Sequence, residues 1–314
     1  MKYNYEILQK HTVFRTVTGS VAYGLAKENS DIDEKAIVIL PMHKLFQLGA
    51  NWETTTFHDP DVEFHSLKKA MNLMNKQNPT MMELLFVNDE FIVEETAIGK
   101  RLREQRHLFL SRNCYNSYGG YAKDQLIRIK KGLQLVSTED QQNHLKSKLE
   151  HIMNQTNRKL QLSDYGKIKI SRLYLDEKDK NNIDVTINLA NIPINTLHHV
   201  VSELTHTIHS SNKPISRNTP LHKMTKHAMH LIRLLKMGIE VLESGELNVH
   251  REHDKDFLLS IRNGNYTWAE LFSIAEELFN KLEHARDLSP LPEKTDAQKI
   301  NQLYIELMSM KFGI

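Results

Sequence analysis

Val13, Phe14 and Val17 carry one β-type apolar run up to Gly19, and Ala36, Ile37, Val38, Ile39 and Leu40 carry a second away from Asp33. Between them lie Gly19-Ser20 and Asp31-Ile32-Asp33, so the spacing predicts strand, turn, short helix, turn, strand. Residues two apart on a strand share a face, which would send Asp31 and Asp33 together into the space above Gly19 and Ser20. That space suits a phosphate beside a metal. Gly19 lets the backbone approach an anion with no Cβ in the way, and Ser20 adds a hydroxyl. Mg²⁺ takes one or two carboxylates together with substrate phosphates. The competing reading is an ordinary polar turn, Asn29-Ser30-Asp31, with solvated carboxylates.

A Gly-Ser turn followed about a dozen residues later by Asp-x-Asp resembles the signature of the DNA polymerase β-like nucleotidyltransferase superfamily. Two-metal nucleotidyl transfer in that superfamily uses a third carboxylate. Here Thr54–Phe57, the turn His58-Asp59-Pro60 and Asp61–His65 read as a hairpin whose second arm alternates Val62 and Phe64 with acids. Glu63, in mid-strand, is the preferred third acid, and Asp61, just after the turn, is the alternative. A solvated edge strand accounts equally well for either residue.

The rest of the composition narrows the classes. The chain has 314 residues, 40% hydrophobic and 25% charged, as in a globular chain of two domains. Its net charge is only +2, so any nucleic-acid contact has to come from a local patch. Cys114, the single cysteine, excludes an intramolecular disulfide and a cysteine zinc site. The start of the chain lacks a signal peptide's apolar core, and no apolar run approaches the roughly 20 residues of a membrane span. A cytoplasmic protein with no membrane partner is the expectation. The 17 histidines include His198, His199, His206 and His209, and also His222, His227 and His230, yet none forms His-Glu-x-x-His.

Ser66 to Gln77 is predicted as an amphipathic helix capped by Ser66, and Asn78-Pro79-Thr80 separates it from the apolar segment Met81–Phe86. A short strand, Glu90–Val93, would precede a helix, Glu94–Arg106, in which Lys100, Arg101, Arg103 and Arg106 are either a solvated face or a dock for a polyanion. Beyond it, Ser111–Val136 and Glu139–Gln161 have helical periodicity. Ile168–Leu175 and Ile183–Leu189 flank a polar turn and read as an inserted β-hairpin at about 165–191. Helices resume with Lys223–Ser244, Asp254–Ile261, Trp268–Ala285 and Ala297–Met310.

Gly-Ser-x-Ala-Tyr-Gly-Leu-Ala from Gly19, Ser-Asp-Ile-Asp-Glu from Ser30, Asp-Val-Glu-x-His-Ser from Asp61 and Asn-Pro-x-x-x-Glu-Leu-Leu-Phe from Asn78 narrow the likeness. With Tyr118–Leu126, Lys226–Leu235, Gly238–Leu247 and Ile261–Gly264 they resemble the RNA-repair-pathway DNA polymerase β family of bacteria and their phages, over residues 12–136 and 219–295. The resemblance implies an α+β protein: a small mixed-sheet nucleotidyltransferase core, placed at 1–106, followed by a mainly helical domain at 107–314. It also implies that a helix of the second domain closes over the nucleotide. Lys226, His230 and Arg233, on one helical face, are then candidates for the triphosphate, against the alternative of a plain polar face. The expected chemistry transfers NMP from an NTP with Mg²⁺ or Mn²⁺ to a hydroxyl of RNA, such as a tRNA 3′ end. Protein nucleotidylation and a non-catalytic nucleotide- or RNA-binding module are the alternatives.

Overall fold

The computed structural model describes residues 3–28, 30–48, 52–133, 149–150, 152, 169–175, 183–188, 198, 201–202, 204–205 and 220–313. The chain divides into two compact units, one of Met1–Leu126 with Leu221–Ile314 and the other of Ile127–Pro220.

In the first unit, strands β1 (Thr12–Thr18), β2 (Asp33–Val38), β3 (Thr54–His58), β4 (Asp61–Ser66) and β5 (Ile92–Glu95) make one mixed sheet in the order β3-β4-β2-β1-β5. β2 runs antiparallel to β1 and parallel to β4, and β3 and β5 add antiparallel edges. The alternation of side chains divides the work between the two faces. Ala36 and Val38 of β2, with Val62 and Phe64 of β4, are buried with Tyr3 and Leu8 in one core cluster. The other face carries Asp33 and Lys35 from β2 and Asp61, Glu63 and His65 from β4. Glu34 pairs with Val62 and Lys35 with Glu63, so Asp33 and Asp61 head the two parallel strands side by side.

The helices start where polar side chains satisfy free amides. Ser66 accepts from the Lys69 amide before the helix Leu67–Asn75, and Asn78 accepts from the Met81 amide before Pro79–Phe86, with Pro79 in the first turn. Where Glu94–Arg106 was expected to be helical, β5 runs on to Glu95, Thr96 caps the helix Ala97–Glu104, and a 3₁₀ turn follows at Arg106–Phe109. The long helix Cys114–Gly132 spans the boundary between the units. Leu221–Ser244, Lys255–Asn263, Trp268–Leu288 and Ala297–Phe312 complete the helices of the first unit. No helix among the described residues is long and apolar enough to cross a membrane.

In the second unit, β6 (Lys169–Leu175) and β7 (Ile183–Asn188) form the expected antiparallel hairpin. Its turn, most of Glu139–Gln161, and His199, His206 and His209 lie outside the described residues. The mixed sheet with its many helices is the α+β architecture that the resemblance implied.

Candidate active site

Gly19 follows β1 at φ +69°, and a Cβ there would lie 2.8 Å from Asp33 Oδ2. Only glycine brings the turn this close to the carboxylate without strain. The Thr18 hydroxyl donates to the Asp33 carbonyl at 3.2 Å, fastening the end of β1 to the start of β2. The turn closes through Tyr23 N–H to Gly19 O at 3.1 Å and Leu25 N–H to Ser20 O at 2.9 Å. Ser20 is half-buried beside Gly19.

Asp31 precedes β2 instead of lying within it, so the two-residue strand spacing is not what brings it to Asp33. Its charge reaches Asp33 all the same. The Asp33 carboxyl is pushed above the ordinary aspartate range by partial burial, then by the negative charges of Asp61 and Asp31, against the opposing pull of Lys226 and Lys35. None of these three carboxylates has a hydrogen bond or ion pair among the described residues.

Glu63 sits one pair further along the strands in a different environment. Lys35 forms an ion pair with it, and His65 Nε2 lies 3.4 Å away. The His65 ring first, and then Lys35, hold the Glu63 carboxyl down at about 2, so it is ionised and already compensated.

Lys226, exposed on the helix Leu221–Ser244, is the cation from that helix that acts on Asp33. His230, one turn on, is pushed down to about 3 by burial and then by Arg233, Lys226, His227 and Arg262, so it is neutral at pH 7. Arg233 departs from the expected phosphate contact. It is 5% exposed, its guanidinium donates to Glu83 at 2.7 Å, and it lies 3.8 Å from the centroid of the Tyr23 ring. The arginines of the basic cluster after β5 are likewise engaged locally. Arg101 is bidentate to Glu306, Arg103 pairs with Asp89 and Glu95, and Arg106 lies over the Phe86 ring.

The chemistry of the donors at Asp31, Asp33 and Asp61 fits a divalent cation. They are hard oxygen ligands that repel one another, and the glycine beside them leaves room a side chain would fill. Among the described residues the one group of three ligand atoms lying within 4.8 Å of one another is elsewhere, at Glu240, His253 and Asp254. The fully buried Arg251 guanidinium holds that group, reaching Glu240 at 2.7 Å and Asp254 at 2.6 Å, and Lys236 adds a 3.0 Å ion pair to Asp254. Its negative charge is already matched, so it is an ion-pair knot rather than a cation site.

Glu83 and Arg262 lie in segments that carry the resemblance but were given no role there, and Arg251 was passed over. Glu83 left a signal, a lone acid in the apolar run Met81–Phe86, which needs a buried partner. Arg251 stands in a polar stretch that left none.

A family model described as the RNA repair pathway DNA polymerase beta family matches residues 4–306. No curated protein and no solved structure matches the chain.

Proposed function

Because this chain belongs to the RNA repair pathway DNA polymerase beta family, a family of polymerase β-type nucleotidyltransferases, we propose that it transfers NMP from an NTP to a hydroxyl at an RNA end. Asp31, Asp33 and Asp61 are the acids of this reaction, with Gly19, Ser20 and Lys226 on the triphosphate. The observation that carries the proposal is the Asp33 carboxylate pressed under Gly19, with Asp61 and Asp31 as the like charges acting on it and Lys226 and Lys35 as the opposing cations.

Each residue has a task in this reading. The Gly19 turn and the Ser20 hydroxyl orient the β- and γ-phosphates, and the Lys226 ammonium balances charge that builds on the leaving pyrophosphate. The three aspartates would hold Mg²⁺ or Mn²⁺, which when bound supplies charge neutralisation and a more acidic acceptor hydroxyl. Asp61 is favoured over Glu63 as third acid because the Glu63 carboxylate is already ion-paired with Lys35. Neutral His230 can donate or accept a hydrogen bond near the nucleotide without adding charge. The acceptor oxygen attacks the α-phosphorus in line, the bond to the bridging oxygen breaks, and pyrophosphate leaves.

The test incubates the protein with each α-³²P-labelled NTP, Mg²⁺ or Mn²⁺ and total RNA, beside Asp33→Asn. Label in RNA that is absent from the variant supports the proposal. Label in a protein band instead would replace the RNA acceptor with a protein hydroxyl. No label in any lane, with no measurable NTP binding, would overturn it.

A further inference from the structure

The turn that presents Gly19 and Ser20 is held from its far end by residues more than 200 positions later in the chain, all in the same compact unit. The Ala22 carbonyl lies 3.3 Å from His250 Nδ1, and the Tyr23 carbonyl accepts from the Arg251 amide at 3.0 Å. Arg262 donates to the Leu25 carbonyl at 2.8 Å, and Lys27 donates to the Asn263 side chain at 2.9 Å. Gly24 lies so close under the His250 ring that a Cβ would come within 2.7 Å of it.

The side chain of Tyr23 is fixed more firmly still. Its hydroxyl donates to Glu83 Oε2 at 2.5 Å, and Arg233 donates to the other oxygen, Oε1, at 2.7 Å. The same guanidinium covers the Tyr23 ring at 3.8 Å. Tyr23, Glu83 and Arg233 are 6%, 3% and 5% exposed, so this is an ion pair taken out of water. Met81, Met82, Leu84 and Leu85 around Glu83 are all buried, and a core built for stability alone would place an apolar residue there too. What a buried charged network adds is a single orientation, because a rotated Tyr23 would leave a carboxylate oxygen without its partner in a low-dielectric interior. Gripped at its hydroxyl and on its ring face, Tyr23 has one position, and it closes the turn whose first residue abuts Asp33.

We propose that Tyr23, Glu83 and Arg233 form a positioning network that sets the Gly19–Ser20 turn against the Asp33 carboxylate, with Arg233 acting through Tyr23 rather than on the triphosphate. The consequence for turnover rests on the nucleotidyl-transfer reading; the consequence for the turn itself does not.

The discriminating variant is Glu83→Met with Arg233→Met, which keeps volume and removes both charges, beside Tyr23→Phe, which removes only the hydroxyl. Melting temperature, amide hydrogen exchange of residues 19–27 without nucleotide, and KM and kcat for NTP are read on each. The double variant is expected to melt within a few degrees of the wild type, because removing the buried ion pair offsets the Tyr23 hydroxyl left without its acceptor. Its amides at 19–27 should exchange about tenfold faster or more while those of β2 are unchanged, and its KM should rise about tenfold. Tyr23→Phe should speed exchange and raise KM in the same direction while lowering the melting temperature, because it leaves Glu83 Oε2 unpaired, and it decides the question if the double variant does not fold. Unchanged exchange and unchanged KM in the folded variants would overturn the proposal and leave the three side chains as core filling. A wild-type protein that turns over no NTP would sink the nucleotidyl-transfer reading, and the exchange measurement would still decide this one.

Discussion

Gly19→Ala places a methyl group 2.8 Å from Asp33 Oδ2, about 0.6 Å inside ordinary van der Waals contact, so the carboxylate or the turn has to move by that amount. Two effects follow, and they can be separated. Holding alanine at φ +69° costs about 1–2 kcal/mol of backbone strain. For a unit of this size that lowers the melting temperature by roughly 2–8 °C. Displacing a reacting group by about 1 Å costs on the order of 100-fold in rate, so a shift of this size should cut turnover roughly 10- to 100-fold. Gly245→Ala is the matched control. It carries the same strain at φ +71°, but its Cβ would meet only Leu291 at an ordinary 3.5 Å. Thermal melts and steady-state NTP turnover on both variants provide the assay. Similar melting losses with a turnover loss confined to Gly19→Ala support the account. Wild-type turnover in Gly19→Ala refutes the claim that the Asp33 carboxylate stands at the reacting centre.

Asp33→Asn should raise the melting temperature at pH 7 while abolishing transfer. The folded pKa of Asp33 lies above its ordinary 3.8, so its stabilising contribution is complete below that value and lost as pH rises through the folded pKa, leaving net repulsion at neutrality. A lower melting temperature at pH 7 would contradict this. Glu63→Gln has the opposite sign. With the folded pKa at about 2 against an ordinary 4.5, the Glu63 carboxylate stabilises above about 4.5 and its contribution fades as pH falls through about 2, so the variant melts lower at neutral pH. Its turnover should stay within a few fold, whereas Asp61→Asn should lose on the order of 100-fold with stability retained; the reverse pattern would make Glu63 the third acid. Lys226→Ala should raise KM for NTP about tenfold while changing stability by less than about 0.5 kcal/mol, because the side chain is exposed; an unchanged KM removes it from the triphosphate site.

The strands around the site were legible because Val13, Phe14 and Val17, and Ala36 to Leu40, are residues that a half-buried pleat favours. Gly19 and Asp33 were legible for the same local reason, a glycine and a carboxylate at the ends of two adjoining strands. What depends on register was not. Glu63 reads as the better third acid because it lies in mid-strand, but the parallel pairing of β2 with β4 sets Lys35 opposite Glu63 and Asp33 beside Asp61. No local pattern announces which residue of a partner strand will be the neighbour. The depth of Arg233 was hidden for a related reason. Three-and-four spacing shows that Lys226, His230 and Arg233 share a face, yet burial increases along the helix, with Lys226 exposed and Arg233 sunk against Glu83. A helical face is a direction, and the depth of each residue on it is set by what packs there. Arg251 is joined to Asp254 three residues on and to Glu240 eleven before it, and it left no trace because a charged pair at such spacing reads as a solvated turn with nothing local to announce its burial.

Pyrophosphate release from NTP, measured with and without divalent cation for the wild type, Asp33→Asn and Glu63→Gln side by side, tests the central claim most directly. The account predicts cation-dependent release by the wild type in the presence of acceptor RNA, near-wild-type release by Glu63→Gln and none by Asp33→Asn. Release by Asp33→Asn at the wild-type rate would contradict it, because the carboxylate that Gly19 adjoins would then have no part in the chemistry.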